Sequence, residues 1–184
     1  SADNIATFSG SSSDSVNILD VQHLPHSNDL YTISVWFKPN LMGNLGIIGW
    51  GNPLVENAYI SVSLFDSGIK HDWGGGNTLV VATASLSLSK GWHHVVAYFN
   101  GTQRGIVLNG VYVATDEPLS FSRMVTTENA YVGQTGFDEY FDGGIDEIAV
   151  WKRALSIHEI DRLFQYDTCD NKAEPTICIS SRSK

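Results

Sequence analysis

Between residues 145 and 151 the chain alternates: Ile145, Glu147, Ala149 and Trp151 interleave with Asp146, Ile148 and Val150. A period of two belongs to an extended strand whose two faces are used differently. The pattern then changes. Ser156 and Glu159 form S-x-x-E, a capping box in which hydroxyl and carboxylate each satisfy a backbone N–H left over at a helix start. Ile157, Ile160, Leu163 and Phe164 follow at helical spacing. This predicts one short helix over 157–166, with an apolar face that closes an end or edge of the sheets.

Before Ser156 helical periods are nearly absent, and short β-rich runs bounded by Gly, Asn, Ser and Asp recur. They cover 5–8, 16–19, 31–38, 46–50, 59–65, 79–82, 92–99, 105–108, 111–115, 130–132 and 145–151. Eleven strands predict an all-β chain of two stacked sheets. In 92–99 both faces are largely apolar, as in a central strand covered on both sides or flanked by a ligand surface. Asn109-Gly110 joins two of these runs with the dipeptide that best accepts positive φ at both turn positions, and Asn100-Gly101 makes a similar turn. Residues 92–115 therefore read as an antiparallel meander of three strands.

A chain of 184 residues suits one such domain, assigned to 1–168, with a polar C-terminal tail over 169–184 of which 180–184 is expected to be disordered. Eleven basic against twenty acidic residues give a net charge of −9. That balance opposes binding to nucleic acid or anionic lipid and is compatible with a bound cation. No apolar run approaches the roughly 20 residues that span a bilayer, so membrane insertion is not expected. The start, Ser1-Ala2-Asp3-Asn4, reads as a mature or excised piece of a larger protein. Cys169 and Cys178 suit a disulfide that closes a small loop; two free thiols are the alternative, and their spacing does not suit zinc. Asn100-Gly101-Thr102 fits a glycosylation acceptor, a triplet that also occurs often by chance.

Four segments then resemble laminin G-like domains of the concanavalin A-like lectin/glucanase superfamily, particularly the pentraxin-like jelly rolls. They are 31–39 with Trp36 and Pro39, 91–101 with Trp92-His93-His94, 107–114 with Asn109-Gly110, and 141–164 with Ile145-Asp146-Glu147 and the capped helix. The resemblance implies an antiparallel jelly-roll sandwich, one sheet concave and one convex, often with a structural calcium. Asp146 matches the family aspartate that joins such a site; Asp14, Asp142, Asp3 and Asn4 are candidate companions. Retaining glycosidases of the superfamily carry E-x-D-x-x-E along one strand, and this chain has no such run. His93 and His94 face opposite ways on one strand and are expected to be packed or hydrogen-bonded.

The stretches with ligand chemistry are 49–52, 70–77 and 136–140. Indole rings beside polar forks suit sugars, whose C–H face stacks on an aromatic ring while hydroxyls need bidentate partners. Candidate ligand-binding residues are Trp50, Asn52, His71, Asp72, Trp73, Asn77, Asp138 and Tyr140, with glycines leaving the indoles exposed and the loops meeting over or beside the concave face. Trp36, Trp92 and Trp151 lie in strong strands and are expected in the core. The reading is a non-catalytic recognition module, extracellular or on the cell surface, that binds a glycan or glycoprotein with a structural calcium. A protein–protein adhesion module is the alternative, and a divergent glycan-cleaving enzyme comes third.

Overall fold

The computed structural model describes residues 5–65, 68–82, 91–118, 124–165, 175 and 177–179. They form two antiparallel sheets packed face to face, as the alternating runs predict. The seven-stranded sheet runs β1 (Ala6–Ser9), β12 (Asp142–Trp151), β3 (Tyr31–Pro39), β8 (His93–Phe99), β9 (Arg104–Leu108), β10 (Val111–Asp116). Its seventh strand, β13 (Ile177–Ile179), pairs with the second half of β12, and β1 with the first half. The six-stranded sheet runs β2 (Val16–Asn17), β11 (Tyr131–Val132), β4 (Leu45–Gly51), β5 (Tyr59–Phe65), β6 (Gly68–Asp72), β7 (Thr78–Ala82). β13 thus lies in the segment read as a tail; residues 180–184 are outside the described residues.

Alternation decides the core. Ile33, Val35 and Phe37 of β3, Val95, Ala97 and Phe99 of β8, and Ile60, Val62 and Leu64 of β5 all point into one buried cluster. Burying each Val, Ile, Leu or Phe among them contributes about 1.5–3 kcal/mol. The meander β8–β9–β10 forms in the predicted order, with Leu108 opposite Val111 across Asn109-Gly110. Asn109 takes φ +50° and Gly110 φ +77°, the left-handed pair that this tight turn requires.

Two local readings are corrected. In β12 the register slips between Asp146 and Ala149 opposite β3, and Glu147 takes φ +48°. This one-residue bulge breaks the period of two: Ile145 joins Ile148 and Val150 in the main core, while Ala149 and Trp151 face outward. The helix α1 (Ile157–Gln165) starts at the predicted box, with Glu159 Oε2 accepting from Ser156 N at 2.8 Å. It covers a sheet face, however, and not an end or edge. Ile160 and Leu163 pack with Val96, Tyr98, Val107, Ala149 and Trp151 on the outer side of the seven-stranded sheet. Beside them Phe164 stacks on Trp36 with ring centres 5.8 Å apart and on His94 at 6.0 Å.

Candidate functional site

The outer face of the six-stranded sheet is organised around what β4 lacks. Gly46 sits where a Cβ would stand 2.3 Å from Glu139 O and 2.4 Å from Thr135 N, so the backbone of 134–140 lies directly on the strand. That segment is a small hairpin closed by a Gln134–Tyr140 bridge. Tyr59, buried on β5, holds its tip by accepting from Gly136 N at 2.6 Å. Burial pushes the Tyr59 phenol up to about 12, so it stays a neutral hydroxyl. Glu139 is also buried; one carboxylate oxygen takes Lys70 Nζ at 2.5 Å, the other the Thr135 hydroxyl at 2.7 Å.

This arrangement lifts Phe137 to the surface. Its ring stands edge-on to Tyr59 at 5.8 Å, lies 5.6 Å from Lys70 Nζ, and remains 39% exposed. Next to it Tyr140 donates to exposed Asp138 Oδ1 at 3.1 Å. The loop after β4 closes the other side: a Cβ on Gly136 would stand 2.7 Å from Pro53, and Gly75 N donates to Pro53 O at 3.1 Å. Segments 49–53, 73–77 and 136–140 do converge. With Lys70 of β6 they bring together an aromatic ring, an ammonium, a phenol and the exposed Asp138 carboxylate.

The indoles expected there are elsewhere. Trp50 and Trp73 are both 0% exposed, because their strands turn them into the sandwich. Trp50 Nε1 donates to Pro25 O at 2.8 Å, and Trp73 Nε1 donates to Tyr31 Oη at 2.7 Å. Tyr31 Oη, accepting from Trp73, is also hydrogen-bonded to buried His71 Nε2 at 2.7 Å. The Arg104 guanidinium covers the Trp73 ring at 4.5 Å and bonds Asp116 and the Asn77 carbonyl and side chain. His71 and Trp73 are therefore buried in an interior network and cannot touch a ligand at the surface in this state, while half-buried Asn77 ties its side chain to Arg104 and Asn57. Asp72 is also buried and accepts from Gly74 N at 2.7 Å. Asn52 is exposed and shapes its own loop through Leu54 N.

The opposite correction applies to Trp92, expected in the core. It precedes β8 and is 36% exposed, its indole lying over Gly144. Trp151 is buried as expected, and Trp36 is half-buried under Phe164. His93 packs on Phe37 and contacts Asn109, whereas His94 bonds Ser34 Oγ at 2.7 Å on the other face. Burial alone pushes His94 down to about 3, so it is neutral.

The carboxylates proposed for calcium fall into two places. Asp14 accepts from the amide and hydroxyl of Ser9, the register partner of Asp142, which in turn accepts from Asn40 Nδ2 at 2.8 Å. Asp146 lies four residues further along β12, about 13 Å at the rise of an extended strand, and caps the Glu147 amide at 2.8 Å. Calcium takes six to eight oxygens around one point. Among the described residues no three His, Cys, Asp or Glu side chains gather into a group that could hold a metal ion. Asp3, Asn4 and Cys169 lie outside the described residues, and Cys178 is described only through its backbone opposite Ala149.

A family model of the concanavalin A-like lectin/glucanase superfamily, of the laminin G type, matches residues 9–161. The chain belongs to this superfamily. This lectin/glucanase-type sandwich is also similar to three solved structures. The CBM40 of the Ruminococcus gnavus IT-sialidase gives a TM-score of 0.62 at 18% identity, over 74% of this chain and 83% of that one. Domain 4 of AbnA, a GH43 extracellular arabinanase from Geobacillus stearothermophilus in complex with arabinotriose, gives 0.61 at 20%, over 78% and 69%. The heptameric SAP-like pentraxin from Limulus polyphemus gives 0.67 at 15%, over 92% and 83%. Identities this low establish a shared fold and nothing finer. No curated protein sequence matches the chain.

The hairpin's aromatic tip was open to sequence reasoning, since Gly136 to Tyr140 stands out as a polar-aromatic cluster. The Lys70–Glu139 pairing was not, because 69 positions separate the two and only the seating of 134–140 across the outer face of β4, β5 and β6 brings them together. No helix among the described residues is long and apolar enough to cross a membrane.

Proposed function

We propose that the chain is a non-catalytic, extracellular carbohydrate-binding module whose ligand docks on the 134–140 hairpin. One observation carries the reading: Phe137 is an exposed ring propped on a buried tyrosine, with Lys70, Asp138 and Tyr140 around it. A sugar ring offers an apolar face to the phenyl group and hydroxyls to the polar rim. Two solved neighbours of the same fold support the ligand class, one in complex with arabinotriose and one bound to α2,3-sialyllactose. Among the hairpin carboxylates Glu139 is committed to Lys70 and Thr135, and Asp138 to Tyr140; neither is placed as an unengaged acid opposite a second one.

A glycan array tests this directly. Wild type should bind at least one glycan class, and Phe137→Ala should lose it while remaining folded; undiminished binding in the variant would remove the hairpin from the site. Calcium is tested separately, by the melting temperature of wild type and Asp146→Asn with calcium and with a chelator. A calcium-dependent rise lost in the variant would assign the ion to β12. No rise would remove calcium from the reading.

A further inference from the structure

Ser63 lies at the centre of the hairpin face. On β5 it stands in register between Gly46 of β4 and Lys70 of β6. Glu139 meets both neighbours, through its carbonyl above Gly46 and its carboxylate on Lys70. Ser63 is therefore roofed by Glu139: it is fully buried, and its Oγ has no hydrogen-bond partner. Buried hydroxyls are almost always paired, because a lone one forfeits its hydration for nothing. Around it stand an ammonium with three donor protons and a carboxylate with two acceptor oxygens.

We propose that the Lys70–Glu139 pair, with Ser63 beneath it, is the seat of a vicinal diol of the bound sugar ring. One ring hydroxyl accepts from Lys70 Nζ and the other donates to the Glu139 carboxylate, so the diol replaces the direct ion pair. The same insertion gives Ser63 Oγ its missing partner. Phe137, 5.6 Å from Nζ, is near enough to cover the apolar face of the same ring. The roof is able to yield because 134–140 is a hairpin closed on itself, held to β5 and β6 through the side chains of Tyr59 and Lys70. This inference rests on the carbohydrate reading and deepens it, since it names the ligand group that the site recognises.

The test takes the strongest binder from a glycan array as its probe. Its Kd is measured by calorimetry for wild type, Ser63→Ala, Lys70→Gln and Phe137→Ala, with the melting temperature of each. Ser63→Ala should weaken binding about tenfold, the weight of one well-placed hydrogen bond, with the melting temperature unchanged or raised. A probe analogue deoxygenated at one of the paired hydroxyls should lose affinity for wild type. An unchanged Kd in Ser63→Ala, whatever its melting temperature, overturns the diol seat, while loss in Phe137→Ala keeps the carbohydrate reading alive. A blank array overturns both. Ser63→Cys adds a readout that needs no glycan: the introduced thiol should react with a small alkylating reagent faster than the protein unfolds, and labelling only at the global unfolding rate overturns the yielding roof.

Discussion

Each sheet of the sandwich carries a cover on its outer face, and the two covers are made differently. α1 seats Ile160 and Leu163 on an apolar patch of the seven-stranded sheet and sets Phe164 on the Trp36 and His94 rings. The 134–140 hairpin rests on a glycine floor and holds its sheet through hydrogen bonds, Gly136 N donating to Tyr59 Oη and Lys70 Nζ to the Glu139 carboxylate. An apolar seal gains nothing from a polar solute. A hydrogen-bonded seal competes with any ligand that offers the same groups. The helix side should therefore govern stability and the hairpin side exchange and recognition.

Truncation under the helix should break that division first if it is wrong. Leu163→Ala removes a fully buried side chain, and a loss of about 2–5 kcal/mol is expected in urea unfolding. Glycan affinity of the folded fraction should stay constant. Gly46→Ala attacks the other cover, since the new methyl group would stand 2.3 Å from Glu139 O. Moving the hairpin aside should cost about 1–3 kcal/mol and, unlike Leu163→Ala, change the glycan Kd.

Acid should separate the two sides as well. His94 is held neutral under Phe164, with its folded value pushed down to about 3 from an ordinary 6.5. The unfolded chain then binds the proton more readily, so the contribution of the neutral ring is intact above about pH 6.5 and lost as pH falls toward 3. The slope should be about 1.4 kcal/mol per pH unit for this one group. Stability curves of His94→Gln and wild type should diverge over that window, and parallel curves would refute the assignment. The smallest effect on folding belongs to Phe137→Ala, within about 0.5 kcal/mol as for an exposed side chain, despite its loss of ligand.

The sandwich was legible because its strands alternate and its turns carry Asn-Gly pairs; the capping box at Ser156 likewise marked α1 to within a residue. β6 escaped notice because Lys70, His71 and Asp72 read as loop chemistry beside three glycines. Its own alternation was the missed signal, with Ile69 and His71 inward and Lys70 and Asp72 outward. The tryptophans show the deeper limit. A strand pattern says that a ring has a side, but Trp73 between His71 and Gly74 could face either way until Tyr31 and Arg104 supplied interior partners. The bulge at Glu147 has no sequence mark, since it follows from how β12 meets β3.

Arg104 has a mechanical consequence. It grows from β9 in one sheet, yet its guanidinium is anchored on Asn77 and Trp73 of the other. The two layers are riveted where β7 and β10 run alongside, like boards joined along one side. Breathing of the sandwich should pivot about that fastening, so amide exchange at β9 should follow global unfolding even when other margins open.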